Sequence, residues 1–287
     1  MAGEVGSNIN LGVGYRVDKL DWSIAGNGVN MLSELTWKNI TSYQLQTDSR
    51  FTMKHIVLRL HADYGWIVSG KNQDSDYDGN NRTQEFSRSN NNAGAGYLYD
   101  FTPGLGYSFS ISPSISVIPQ VGISYHIQHL TIRNGLQTVS NPVNHPKVNT
   151  LGAFSGLNSS YHSRWQGGWL GTEIRWQPGN NLKLLGSAAY HWIDYRGEGN
   201  WNLRSDFAHP LSFLQTARGS GITLSLRADY ALNQAWSVGF DSDYQYFSTR
   251  AGTDTVFNPN GSVNSVTRFN GANWQSWAMQ MHGALKF

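Results

Sequence analysis

The residues most able to do chemistry lie in one acidic stretch, GKNQDSDYDGNNRTQEFSRS, at 70–89. Asp74, Asp76, Asp78, Gly79 and Glu85 match the calcium-loop spacing D-x-D-x-D-G-x5-E in full. Ca²⁺ takes several hard oxygens, the glycine permits a sharp turn, and the last glutamate can bind through both oxygens. Asn80 would add a backbone carbonyl. Against this, strands rather than paired helices flank the loop, Asn81 stands where an apolar residue is usual, and Arg82 brings a like charge. The stretch also reads as a solvated acidic loop. A third use exists, because carboxylates two residues apart can activate a water as a general base.

The elements that hold this loop alternate with a period of two. Apolar side chains recur on every second position in stretches near 7–17, 33–46, 54–69, 96–110, 115–131, 163–177, 182–195, 219–231, 236–249 and 274–287. Strand side chains point to opposite faces in turn, so each stretch is a half-apolar strand. Leu35, Trp37, Tyr43 and Leu45 are assigned to the outer face of the second strand. Ile56, Leu58, Leu60, Tyr64 and Trp66 take that face on the third, with His55, Arg59, His61 and Asp63 behind them. Pro103 and Pro119 predict bulges or strand ends.

Eleven Trp, 14 Tyr and 12 Phe coexist with a mean hydropathy of −0.43, and no run approaches the roughly 18 apolar residues of a membrane helix. A soluble Trp-rich sandwich is one solution. A membrane barrel is the better one, since only alternate residues face lipid and aromatics collect at the interfaces. The chain is therefore read as all-β, a ten-stranded antiparallel transmembrane β-barrel forming a single domain over 1–287. Short turns are expected near 48–50, 112–114, 178–181 and 232–234, and long polar loops near 18–32, 70–95, 132–162, 197–218 and 251–272. Long loops on one rim are the outer-membrane pattern. No leader is visible at Met1-Ala2-Gly3, so the chain is read as a mature form. There is no cysteine, which excludes disulfide and thiol chemistry, and the net charge of +2 makes no case for nucleic acid.

The inner face carries Arg16, Arg59, His61, Asp63, Asp100, Glu173, Arg175, Arg227, Asp229, Asp241 and Asp243. Both signs are present, which suits an ion-pair network in a narrow barrel or a charged water path. Eight strands leave room for side chains only and about 16 leave an open channel, so ten lie near the filled end.

Leu32-Ser33-Glu34-Leu35-Thr36-Trp37-Lys38, the third strand and Asp74-Ser75-Asp76-Tyr77 together resemble the omptins, which are ten-stranded outer-membrane endopeptidases. The resemblance implies that Asp74 and Asp76 face an Asp-x-His pair on the fourth outer loop. In the matching region, Gly197-Glu198-Gly199-Asn200-Trp201-Asn202, Asn200 and Asn202 stand where Asp and His are wanted. Asparagine takes up no proton near neutral pH. Asp206 and His209 are the substitutes, three apart in a Pro-containing loop. Of the implied lipid A contacts on strand five, Tyr125 is kept, while Ile127 replaces an acidic residue and His129 a basic one. SDYDGNNRTQEFSRSNN and DYRGEGNWNLRSDF look closer to the Protochlamydia-type outer membrane proteins. That resemblance implies the omptin scaffold without its protease chemistry.

The expected location is the bacterial outer membrane, with outer-membrane lipid and lipopolysaccharide as partners and small solutes or ions as candidates. The expected role is a narrow channel or an envelope-surface protein, not an enzyme. The alternatives are an endopeptidase using Asp74, Asp76, Asp206 and His209, and loop binding of Ca²⁺ or of a ligand near Trp165, Trp169 and Trp201. Oligomeric state is left open.

Overall fold

The computed structural model describes residues 5–287, so the start read at Met1-Ala2-Gly3 lies outside the described residues. Eight strands are continuous: Val5–Gly26, Val29–Met53, Ile56–Tyr77, Ile115–Ser140, Gly152–Trp176, Leu182–Asn200, Phe213–Ala231 and Val263–Lys286. These are strands one to three, five to eight, and ten. Strand four is broken into Glu85–Asn92, Gly96–Phe101, Gly104–Tyr107 and Phe109–Ser112, and strand nine into Trp236–Thr249 and Gly252–Phe257. Pro103 sits at one of the breaks, as expected. Pro119 instead lies inside strand five and pairs with Thr172.

Strand one pairs antiparallel with strand ten from Asn8↔Lys286 to Ala25↔Arg268, which closes a ten-strand ring. Phe287 and Ser7 complete the seam by exchanging both backbone hydrogen bonds at 3.0 Å. The ring has a physical cause: hydrocarbon offers no partner to a free N–H or C=O, so a sheet survives there only if it has no edge. The outward side chains in mid-barrel are apolar, among them Leu11, Val13, Tyr64, Trp66, Ile123, Leu226 and Met281, all of them exposed on the protein surface.

Three of the four predicted inner turns fall where expected, at 113–114, 177–181 and 232–235. The fourth is corrected. Asp48-Ser49-Arg50 continues strand two, and the turn is Lys54-His55, with His55 exposed and stacked 5.3 Å from Tyr107 rather than inside the barrel. The predicted outer loops are mostly strand. Strands one and two meet in a two-residue turn, Asn27-Gly28, at φ 52° and 81°, the left-handed pair of a tight hairpin. Above the membrane both faces of a strand are polar, so the hydropathy rhythm vanishes while the backbone ladder continues.

A second correction concerns faces. Leu35 and Trp37 are fully buried inside the barrel, although Tyr43 and Leu45 point out as predicted. Between Lys38 and Thr41 the register with strand three slips, and Asn39 adopts φ 53°. One extra residue in a strand exchanges inside for outside in all that precedes it.

The inward turn of Trp37 helps build an aromatic plug in the outer half of the lumen. Trp37 stacks 5.2 Å from Tyr161, Phe247 4.9 Å from Trp274, and Tyr195 5.7 Å from Phe269. Trp165, fully buried, packs against Tyr195 and Trp274 at 4.4 Å and 5.9 Å. Trp165→Ala should cost about 3–5 kcal/mol, the usual price of an indole-sized cavity. Urea titration of the barrel in detergent checks this, and a midpoint equal to wild type would refute it.

Candidate functional site

Every predicted lumen charge lies inside the barrel, and partners connect them. At the inner end Asp48 is the hub: Arg50, Arg59 and Arg227 reach it at 3.2, 2.9 and 3.3 Å. Arg50 also holds Glu173 at 2.8 Å, and Arg175 holds Glu173 at 2.6 Å. Arg227 pairs with Asp241, which His282 joins to Asp229 at 2.6 and 2.8 Å. His61 lies 3.0 Å from Asp63, and the amides of Gln46 and Gln280 donate to Asp243 at 3.2 and 2.6 Å. Further out, Arg16 joins Asp18 and Asp100 at 2.9 and 2.5 Å, and Asp100 also takes His126 at 2.8 Å.

Sequence reasoning missed Asp18, Asp48, Arg50, His126 and His282 from this network. Each shares the parity of an inward neighbour, so parity carried to the true strand ends would have found them. Placing a turn at 48–50 concealed the hub itself.

Between the ion pairs and the plug lies a cavity of about 50 Å³, lined by Arg59, His61, Asp100, Gln120, His126, Trp169, His191 and Gln245 among others. Four buried atoms of this lining, His61 Nδ1, Gln120 Nε2, His126 Nε2 and Gln245 Oε1, have no hydrogen-bond partner among the described residues. A space of this size admits only a few waters. Trp165 and Trp169 belong to the interior, not to a loop site: Trp169 donates its indole N–H to the Ile123 carbonyl at 3.0 Å.

Asp74 and Asp76 stand at the mouth, on the outer extension of strand three. They pair across the sheet with Leu35 and Ser89, and with Ser33 and Ser87. They therefore share the inward face with Leu35 and lie above the membrane-spanning part of the strand. Burial pushes both carboxyls above their ordinary range; the charge of Asp76 adds to this at Asp74, while Arg204 opposes it at both.

The calcium pattern does not gather. Asp78 sits in the turn and meets His145 at 2.8 Å, while Glu85 is taken by Arg88. The Asn80 carbonyl is already bonded by Thr83, through its backbone N–H at 3.2 Å and its hydroxyl at 2.7 Å. Among the described residues no three acidic or imidazole groups converge as a cation site requires. The physical reason is that 74 and 76 are strand residues on one face, whereas a calcium loop curls around its ion.

The fourth outer loop brings Arg204 toward the acid pair and uses its other groups elsewhere. Asp206 accepts from Arg204 and from Lys147 at 2.8 and 2.9 Å, and these bonds, Arg204 first, hold it well below the ordinary carboxylate range. Both His209 nitrogens face acceptor oxygens, Asn200 Oδ1 at 2.8 Å and the Arg204 carbonyl at 3.2 Å. Asn202 accepts from the Asn158 backbone N–H and the Ser159 hydroxyl at 2.8 and 3.0 Å, and donates to the Gly156 carbonyl at 2.7 Å. It is a staple between strand six and the fourth outer loop. Outside the barrel, Arg164, Arg196 and Arg218 line a recess of about 410 Å³ with Asp194, Thr216 and Thr253.

An edgeless ten-strand ring with an apolar outer belt and polar extensions is an outer-membrane β-barrel, and the protein resides in the bacterial outer membrane. The chain belongs to the Protochlamydia outer membrane protein family, whose model matches residues 10–287. No curated protein matches it. Among solved structures, the outer membrane protease OmpT of Escherichia coli superposes with a TM-score of 0.78 at 14% identity, covering 98% of this chain and 96% of its own. That likeness establishes the shared fold. OprG of Pseudomonas aeruginosa matches at a TM-score of 0.36 and 11% identity, covering 100% and 99% of the two chains. The translocator domain of the autotransporter NalP of Neisseria meningitidis matches at 0.38 and 8%, covering 99% and 89%.

Above the plug, on the outer segment of strand nine, Asp254 is 2% exposed, and burial pushes its carboxyl up to about 6. A carboxyl raised in the folded state stabilises fully below its unfolded value, and this contribution is lost as pH rises through about 6. The wild-type barrel should therefore be about 3 kcal/mol less stable at pH 8 than at pH 3.5 on account of this group. Asp254→Asn should remove that part of the slope. Urea titrations of both proteins across this range measure it; parallel pH profiles would refute the assignment.

Proposed function

We propose that this protein is a closed barrel that works through the surface it raises above the membrane, not as a conduit. The filled lumen carries this reading: a connected set of ion pairs occupies its inner half and an aromatic plug its outer half. Solute passage would have to separate buried, paired charges, and removing one member of such a pair costs about 3–5 kcal/mol. The strands meanwhile continue well past the lipid. Strand three runs nine residues beyond Val68 to Tyr77, about 20 Å of height after tilt. Purified barrel in a planar bilayer should be silent. Regular single-channel steps from correctly folded wild-type protein would sink the proposal.

The outer wall would meet the glycolipids around it. Arg164, Arg196 and Arg218 present guanidinium groups suited to phosphate. Changing all three to alanine should weaken binding of lipopolysaccharide by about tenfold, the scale of one lost charge-assisted hydrogen bond. Equal binding by the triple variant would remove this contact.

A second reading, endopeptidase, is favoured by the inward placement of Asp74 and Asp76 above the plug. It needs a proton acceptor across the mouth, where Arg204, whose charge acts on both carboxyls, is a cation. Incubation with dibasic peptides and lipopolysaccharide should yield no product. Cleavage abolished by Asp76→Asn would establish this second reading instead.

A further inference from the structure

A recess of about 270 Å³ lies where strands one, two and ten meet the tip of the second outer loop. Asp21, Ser23, Glu34, Arg82, Thr249 and Asn273 form most of its wall. Asp21 and Ser23 share the outward parity of Leu11, Val13 and Tyr15, and Asn273 that of Trp277 and Met279, so the recess opens on the outer wall. Asp21 lies four residues past Val17, at a height of about 10 Å above the apolar belt.

The groups in this recess are held in place from behind. Glu34 receives Arg82 Nε on both oxygens at 2.9 Å and the Tyr77 hydroxyl at 2.9 Å. Asn273 donates to Asp21 at 2.9 Å and accepts from Ser248 at 2.9 Å. Asn270 donates to Ser23 at 3.3 Å and to the Asn30 carbonyl at 3.0 Å. Lys19 lies 3.1 Å from Asp21, so each carboxylate already has its cation.

We propose that this recess binds a neutral pyranose sugar. The internal pairing of charge leaves no net attraction for an ion. A wall of carboxylate, guanidinium, amide and hydroxyl groups, almost without apolar surface, offers little to a lipid tail or a peptide side chain. What it matches is a ligand that carries donors and acceptors on adjacent carbons, to which planar carboxylates and amides can bond in pairs. The volume suits one or two sugar rings. The outward position puts the site among the saccharides that stand on the outer leaflet, and it is accessible equally to free glycans. The site is separate from the lumen and from the acid pair, so it holds whether or not the barrel conducts or cleaves.

Saturation-transfer NMR on the full chain in detergent micelles tests the proposal, with methyl glucoside, methyl galactoside and methyl mannoside as probes. At least one should show transfer to its ring protons. Asn273→Ala and Thr249→Val should each reduce that transfer about tenfold at fixed sugar, the scale of one lost bond to a charged or fixed polar group. Arg133→Ala, exposed on strand five across the ring, should leave it intact. Heat-modifiable gel mobility shows that each variant is folded, and Thr249→Val retains the Asp21 and Asn273 contacts should Asn273→Ala fail to fold. Displacement of the probe by a rough-core glycolipid assigns the site to the membrane's own sugars, and persistence assigns it to free saccharide; either supports the site. No transfer from any of the three sugars, or transfer unchanged in the variants, overturns it.

Discussion

The seam between the first and last strands is the constraint on which everything else depends. Hydrogen bonds between strands cannot be exchanged for bonds to solvent inside lipid, so the sheet must close on itself. Once ten strands close, the diameter is set, and so is the volume that inward side chains must fill. The apolar outer belt and the crowded interior are two consequences of the same ring. At the Asn8↔Lys286 end of the seam, Ser7 and Phe287 exchange both backbone hydrogen bonds.

Filling that volume with charge has a cost, and the arrangement shows how it is met. A buried carboxylate or guanidinium is tolerated only when opposite charge and hydrogen bonds surround it. Asp48 receives three arginines, Glu173 two, and Asp241 an arginine and a histidine. These bonds run between strands that are far apart in sequence, so they cross-link the wall through the lumen. Above them the aromatic plug buries apolar area, and the hydroxyl of Tyr161 meets that of Tyr195 and donates to Gln215. The barrel changes from electrostatic to apolar filling along its axis.

The mouth departs from this economy. Asp74 and Asp76 are placed together with no cation in direct contact among the described residues, and burial keeps them readier to hold a proton than isolated carboxyls. Facing them, Arg204 is shared with Asp206, while Lys147 of the third outer loop binds Asp206 from the other side. The outer loops are thus tied to one another by charge. The outer membrane protease OmpT of Escherichia coli, with a TM-score of 0.78 to this chain, shares the fold, and the fourth outer loop of this chain carries Arg204, Asp206 and His209 at the mouth. One scaffold can present different chemistry because the strands set positions and the loops choose side chains.

The sequence by itself determined the number of strands, three of the four inner turns, the lipid-facing side chains of the mid-barrel and the mixed charge of the lumen. All of these follow from a two-residue period imposed by lipid on one side, which is local and needs no knowledge of partners. The tertiary structure decided the rest. The bulge at Asn39 turned Leu35 and Trp37 inward, and no hydropathy rhythm marks an extra residue when both candidate faces are mixed. The strands ran on where both faces met water, which erased the signal that had revealed them. The acidic stretch matched a calcium loop as a string, but strand pairing laid Asp74 and Asp76 along one face while Asp78 and Glu85 went to His145 and Arg88. Spacing along a chain says which groups are available; the pairing of distant strands determines which of them meet.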